Sequence, residues 1–138
     1  MSHPLLRAGA ARHGPLSVLH FAAHPDGYPD YEGNRWLRQR TTIPLAAGEC
    51  ECLRAGFRRL LESECVDVVQ PDRGHAGGIT ETQKILDMAQ TFGVAYAPHC
   101  WGSAIGLAAA VHLLANWDTV PGRMHEPEPL LELDRTRN

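Results

Sequence analysis

The sequence predicts an α/β domain built on a parallel sheet, and two observations carry that prediction. Short β-like apolar runs alternate four times with longer runs of helical period, and the side chains suited to chemistry lie just after the strand-like runs. Strand–helix alternation of this kind gives parallel neighbours joined by crossover helices. An open doubly wound sheet and a part of a closed barrel both satisfy it, and periodicity does not choose between them.

Taken in order, residues 17–23 (SVLHFAA) read as a strand, which His24-Pro25-Asp26-Gly27 breaks. Tyr31 to Arg40 follows as a short helix with Trp36 and Leu37 facing inward. Thr42 to Gly48 is the second strand. Leu53, Phe57, Leu60 and Leu61 then recur at helical spacing, with Arg54, Arg58 and Arg59 toward water. Val66 to Gln70, rich in β-branched residues, is the third strand. Thr80 with Gln83 makes a capping-box pattern for the next helix; Ile85, Met88, Ala89 and Phe92 form its buried stripe and Gly93 ends it. Val94 to Ala97 is the fourth strand, and Ile105, Ala108, Ala109, His112 and Leu113 mark a further amphipathic helix. After a Pro- and Gly-containing stretch, Leu130 to Leu133 is a candidate fifth strand.

Composition narrows the function. The chain has 138 residues, 43% hydrophobic and 21% charged, enough for one globular domain with no sign of disorder. No apolar run approaches the roughly 20 residues of a membrane span. The first seventeen residues contain His3, Arg7, Arg12 and His13 and no signal-like apolar stretch, so a cytoplasmic location is expected. Thirteen basic against sixteen acidic residues, with the arginines dispersed, argue against nucleic acid as the main partner. Cys50, Cys52, Cys65 and Cys100 form no Cys-x-x-Cys pair, which favours reduced, packed thiols over a disulfide framework or a zinc site on Cys50 and Cys52. The single lysine, Lys84, falls inside a predicted helix.

Four polar residues stand at equivalent places. Glu49 ends the second strand, Asp72 the third and His99 the fourth, and Glu132 lies in the candidate fifth. The carboxyl ends of parallel strands line the active sites of α/β proteins, so these four side chains should meet at one rim. Singly each has a plain structural role open to it: an Asp after Pro71 can serve a turn, and a Glu after Gly48 can be a solvated loop carboxylate. Together they indicate function. Glu49 is a hard oxygen donor suited to Mg²⁺. His99 is a natural proton acceptor, and Asp72 can set its tautomer through the other ring nitrogen. Gly74, Gly77 and Gly78 lie between a strand and a helix start, where backbone N–H groups either hold an anion or simply make a tight turn.

TIPLAAGE (Thr42 to Glu49), VDVVQPDRGHAGGITE (Val66 to Glu81) and GVAYAPHCWGSAIGLAAAVHLLA (Gly93 to Ala115) resemble the enolase superfamily. They are similar to the C-terminal barrel of its mandelate racemase / muconate lactonizing enzyme-like, acid-sugar dehydratase group, and LLELD (Leu130 to Asp134) resembles the eighth barrel strand. The resemblance implies a half-barrel of about five parallel strands and four helices over residues 17–138, preceded by a segment (1–16) left from an earlier helix. It implies that Glu49 binds Mg²⁺, that Asp72 and His99 form the acid–base dyad, and that Glu132 donates a hydrogen bond to the substrate carboxylate. The implied activity is a Mg²⁺-dependent dehydratase or racemase of hydroxy or sugar acids, working by proton abstraction α to a carboxylate.

Departures from the family pattern set up the alternative. Phe21-Ala22-Ala23-His24-Pro25 matches a motif whose ligand position is occupied here by Ala23, which cannot bind a metal; His24 is a poor Mg²⁺ ligand. No counterpart exists for the family's third-strand Asp ligand or second-strand Lys base. The alternative reading is therefore a truncated, non-catalytic half-barrel serving as an oligomerisation or binding module. Either way, exposed barrel edges lead us to expect a homo-oligomer.

Overall fold

The computed structural model describes residues 19–20, 29–117 and 131, and the following statements concern these. Eight elements alternate: β1 (Leu19–His20), α1 (Tyr31–Arg38), β2 (Leu45–Ala47), α2 (Leu53–Glu62), β3 (Val68–Val69), α3 (Ile79–Thr91), β4 (Ala95–Tyr96) and α4 (Ala104–Ala115). The strands are shorter than the sequence predicts. The sheet is parallel throughout and runs in the order β1-β2-β3-β4.

That order decides between the two architectures. A doubly wound sheet reverses its strand order and carries helices on both faces. Here the order is sequential. Register places Ala46 beside Val68 and Val68 beside Ala95 on one face; Ala47, Val69 and Tyr96 align on the other. The helix-side face carries the main core, where Ala47 and Val69 meet Phe57, Leu60, Leu61, Ile85 and Ala89. Tyr96 packs with Leu86, Leu113 and Trp117 toward α3 and α4. The opposite face holds only sheet residues, Ala46, Val68, Ala97 and the partly buried Ala95. One-sided helices on a sequential parallel sheet form the wall of a partial (βα) barrel, with small side chains lining its interior.

Several local expectations are corrected. Trp36 is not inward but 52% exposed, with the Arg40 guanidinium over its ring, because α1 buries no side chain. Leu53, at φ +55, and Phe92 are exposed at the ends of their helices, beyond the cover of their neighbours. The capping box does not form: Gly78 precedes the helix and Thr80 lies inside the first turn, while Gln83 bonds Asp87 and Asn116 instead. Thr82 and Leu86 join the buried face of α3 unanticipated.

In α4 the expected stripe is wrong at Ile105 (83% exposed), Ala108 and His112, which are exposed; Ala110 and Leu113 are the buried pair. This helix is apolar on every side, so its sequence cannot mark a face. Among the described residues no helix is long and apolar enough to cross a membrane. Leu131 belongs to no strand, and the rest of the candidate fifth strand lies outside the described residues.

Candidate active site at the carboxyl ends of the strands

Register explains how Asp72 and His99 meet. Val69 pairs with Tyr96, and each is followed by the same pattern: one residue, a buried proline, then the polar residue. Gln70-Pro71-Asp72 and Ala97-Pro98-His99 therefore leave neighbouring strands in step. Proline holds the residue before it extended, so both chains continue straight past the sheet. Neighbouring parallel strands run about 4.8 Å apart, a spacing that a carboxylate and an imidazole bridge. His99 Nδ1 lies 2.9 Å from Asp72 Oδ2.

Glu49 reaches the same place by a different device. Ala47 faces the helices, so an unbroken strand would carry Glu49 to that side as well. Gly48 has φ +126, a conformation reserved for glycine, and it redirects the chain. Glu49 Oε2 then lies 3.5 Å from His99 Nε2. The following loop is anchored by Glu51, which accepts the Tyr31 hydroxyl hydrogen bond in a nearly closed environment. Burial first, then the adjacent Glu51 carboxylate, push the Tyr31 pKa far above its usual value.

The three side chains are mostly enclosed, with exposures of 13% for Asp72, 17% for Glu49 and 18% for His99. Burial works to raise the Asp72 pKa. The His99 hydrogen bond, the Gly74 amide at 2.6 Å and the nearby Arg73 charge outweigh it, and the carboxyl is held below its ordinary value. An ionised Asp72 has only acceptor atoms, so its contact requires a proton on His99 Nδ1. Nε2 is then the ring nitrogen left facing Glu49, the arrangement of a histidine base with an orienting carboxylate on its other nitrogen.

Arg73 is the residue that sequence reading missed. Its Nη1 donates to the His99 carbonyl oxygen at 3.1 Å and lies 4.0 Å from Asp72 Oδ1. Gly106, in the first turns of α4, makes room: a Cβ there would overlap the guanidinium. Nothing in the spacing of the chain signals this contact. Gln70, also unanticipated, is buried with no hydrogen-bond partner for Oε1. Lys84 is exposed on α3, as the helix prediction implies.

The fit to a magnesium ion is incomplete. Among the described residues no three His, Cys, Asp or Glu side chains gather where a cation could sit. Glu49 offers one carboxylate, short of the several oxygen ligands that Mg²⁺ takes. Ala23, His24 and Glu132 lie outside the described residues. Gly77 and Gly78, at φ +108 and +87, turn the chain into α3, and the Gly74 amide is engaged by Asp72.

Comparison with known proteins agrees with this geometry. Residues 24–135 match the family model described as Enolase C-terminal domain-like. The chain is 43% identical over 113 residues to D-galactonate dehydratase of Variovorax paradoxus, covering 82% of this chain and 28% of that protein. It is 39% identical over 102 residues to D-galactarolactone cycloisomerase of Agrobacterium fabrum, covering 74% of this chain and 27% of that protein. The solved structure of the 3,6-anhydro-D-galactonate cycloisomerase from Zobellia galactanivorans superposes with a TM-score of 0.80 at 45% identity, over 96% of this chain and 34% of that one. The chain thus spans about a quarter to a third of the length of these relatives.

Proposed function

From the premise that this chain belongs to the Enolase C-terminal domain-like family, we propose that it acts in sugar-acid chemistry, removing the proton α to a carboxylate as a dehydratase or racemase does. The relatives' names, a galactonate dehydratase and two cycloisomerases of galactose-derived acids, support hydroxy or sugar acids as the substrate class. The observation that carries the reading is the 2.9 Å contact of His99 Nδ1 with Asp72, which leaves Nε2 directed into the rim.

In this reading His99 Nε2 takes the α-proton of the substrate. The C–H bonding pair passes into the carboxylate, forming an enediolate, and Asp72 balances the imidazolium charge while keeping the ring in place. In a dehydratase the same imidazolium then returns its proton to the β-hydroxyl. The C–O bond breaks, water leaves, and the resulting enol tautomerises to a 2-keto acid. The enclosed rim strengthens these contacts by limiting solvent. Family membership implies Mg²⁺, which as a Lewis acid would stabilise the enediolate; Glu49 is the proposed ligand among the described residues. Glu132 is proposed as the hydrogen-bond donor to the substrate carboxylate.

The test is deuterium wash-in. The full chain is incubated in D₂O with D-galactonate, D-galactarolactone, 3,6-anhydro-D-galactonate and a wider panel of aldonic acids, with and without Mg²⁺. Deuterium is expected at the α-carbon where the enediolate is reprotonated, or at the β-carbon of the 2-keto acid where the β-hydroxyl leaves, and either is lowered about 10²- to 10⁴-fold in His99→Ala. No incorporation above that of folded His99→Ala on any of these acids overturns the reading.

A further inference from the structure

We infer that Arg73 is a positioning residue for the Asp72–His99 pair, gripping the main chain of His99 while Asp72 grips its ring, and that Gly106 is the notch that admits the guanidinium. The inference rests on the acid–base reading above and adds to it residues which that reading does not require.

Three observations carry it. Asp72 and Arg73 are consecutive on the loop after β3, yet both reach His99 across to the next strand. Asp72 takes Nδ1 at 2.9 Å, and Arg73 Nη1 donates to the His99 carbonyl oxygen at 3.1 Å. One loop therefore holds the histidine at two points, which fixes both the placement of its backbone and the rotation of its ring. A base must be held to about 0.5 Å of its productive position to work well, and a single hydrogen bond to the ring leaves the main chain free to drift.

The second observation is enclosure. The Arg73 side chain is only 13% exposed, and a guanidinium so far from water needs a nearby anion. Asp72 Oδ1 is 4.0 Å away, too far for a hydrogen bond but close enough for charge to act on charge. Arginine cannot surrender its proton, so it supports the Asp72 anion without competing for the substrate proton.

The third is the notch itself. A Cβ on residue 106 would occupy the position of Arg73 Nη2 and crowd the rest of the guanidinium. Glycine in the first turns of a helix is unfavourable by propensity, and here the space it leaves is filled by the Arg73 guanidinium.

The experiment reads His99 directly. In the full chain labelled with ¹⁵N-histidine, the imidazole N–H bonded to Asp72 should give a downfield, solvent-protected proton signal, absent in His99→Ala, which assigns it. Arg73→Ala should raise the solvent-exchange rate of that proton by about tenfold or more, the loss expected for one hydrogen bond from a charged donor. Arg73→Lys keeps the charge without the planar fork and should recover only part of the protection; added ethylguanidine should restore Arg73→Ala. An exchange rate in folded Arg73→Ala within about twofold of the parent overturns the inference.

Should Arg73→Ala fail to fold, Gly106→Ala tests the same contact from the other side, and an unchanged signal there overturns it equally. Absence of the signal in the parent removes the dyad and this inference together. A signal that depends on Arg73, alongside failed wash-in, upholds the positioning role and overturns only the proposed reaction.

Discussion

Gly48 is the residue on which the placement of Glu49 turns, and replacing it with alanine tests how firmly the fold holds that turn. Its φ of +126 is a conformation that L-residues rarely adopt, which costs about 1–3 kcal/mol. The new methyl would also meet Phe57 Cε1 at 3.0 Å, Leu60 Cδ2 at 3.2 Å and the Gln70 backbone nitrogen at 3.4 Å. Phe57 and Leu60 are 0% and 1% exposed and cannot swing into solvent, so overpacking adds about 1–3 kcal/mol. The reduced freedom of the unfolded chain returns about 0.4–1 kcal/mol. The sum is a loss of about 1–5.5 kcal/mol, read as a lower urea midpoint by circular dichroism.

Gly78 supplies the control. It has a similarly glycine-type backbone, φ +87 and ψ 179, but nothing within 4 Å of a built Cβ. Gly78→Ala should therefore lose only the backbone part, about 1–3 kcal/mol less the same return of about 0.4–1 kcal/mol. The difference between the two variants measures the contact with Phe57 and Leu60. Equal losses would refute the packing half of the reasoning, and a Gly48→Ala protein as stable as the parent would refute all of it.

Two further outcomes follow from the same physical picture. Because the folded-state pKa of Asp72 is depressed, its contribution to stability is fully present above the unfolded value of about 3.9 and is lost as pH falls through the lower folded value. Urea midpoints measured from pH 6 down to pH 2 should accordingly fall more steeply for the parent than for Asp72→Asn; parallel curves would contradict the assignment. Phe57→Ala removes a fully enclosed ring from the centre of the helix-side core and should cost about 3–5 kcal/mol in denaturant titration, so a loss below about 1 kcal/mol would show that α2 does not depend on it.

Much of the architecture was legible along the chain. Val66 to Gln70 and Val94 to Ala97 announce strands through β-branched and apolar runs. The parent helices α2 and α3 show their period in Phe57, Leu60 and Leu61 and in Ile85 and Ala89, all of which are buried. Errors concentrate where a face is covered or left open by something distant in sequence. Trp36, Leu53, Phe92 and Ile105 are apolar residues on or at the ends of correctly predicted helices, yet each is 46–83% exposed. The Thr80–Gln83 pattern has the right residues for a cap, but Gly78 turns the chain earlier and the helix has begun before Thr80 is reached.

Of the candidate site, residue identity was written in the sequence and mutual placement was not. The strand–helix alternation, the Pro71-Asp72 and Pro98-His99 pairs and the position of Glu49 at a strand end are local properties, expressed in periods of two and 3.6 residues. That Asp72 touches His99 across 27 residues, that Glu49 turns toward His99 Nε2 at Gly48, and that Arg73 passes through the gap at Gly106 to the His99 carbonyl were decided only in the tertiary structure. The physical reason is that distance between separate strands is set by ladder register and helix packing, which depend on which surfaces meet, whereas periodicity records only which side of one element each residue occupies.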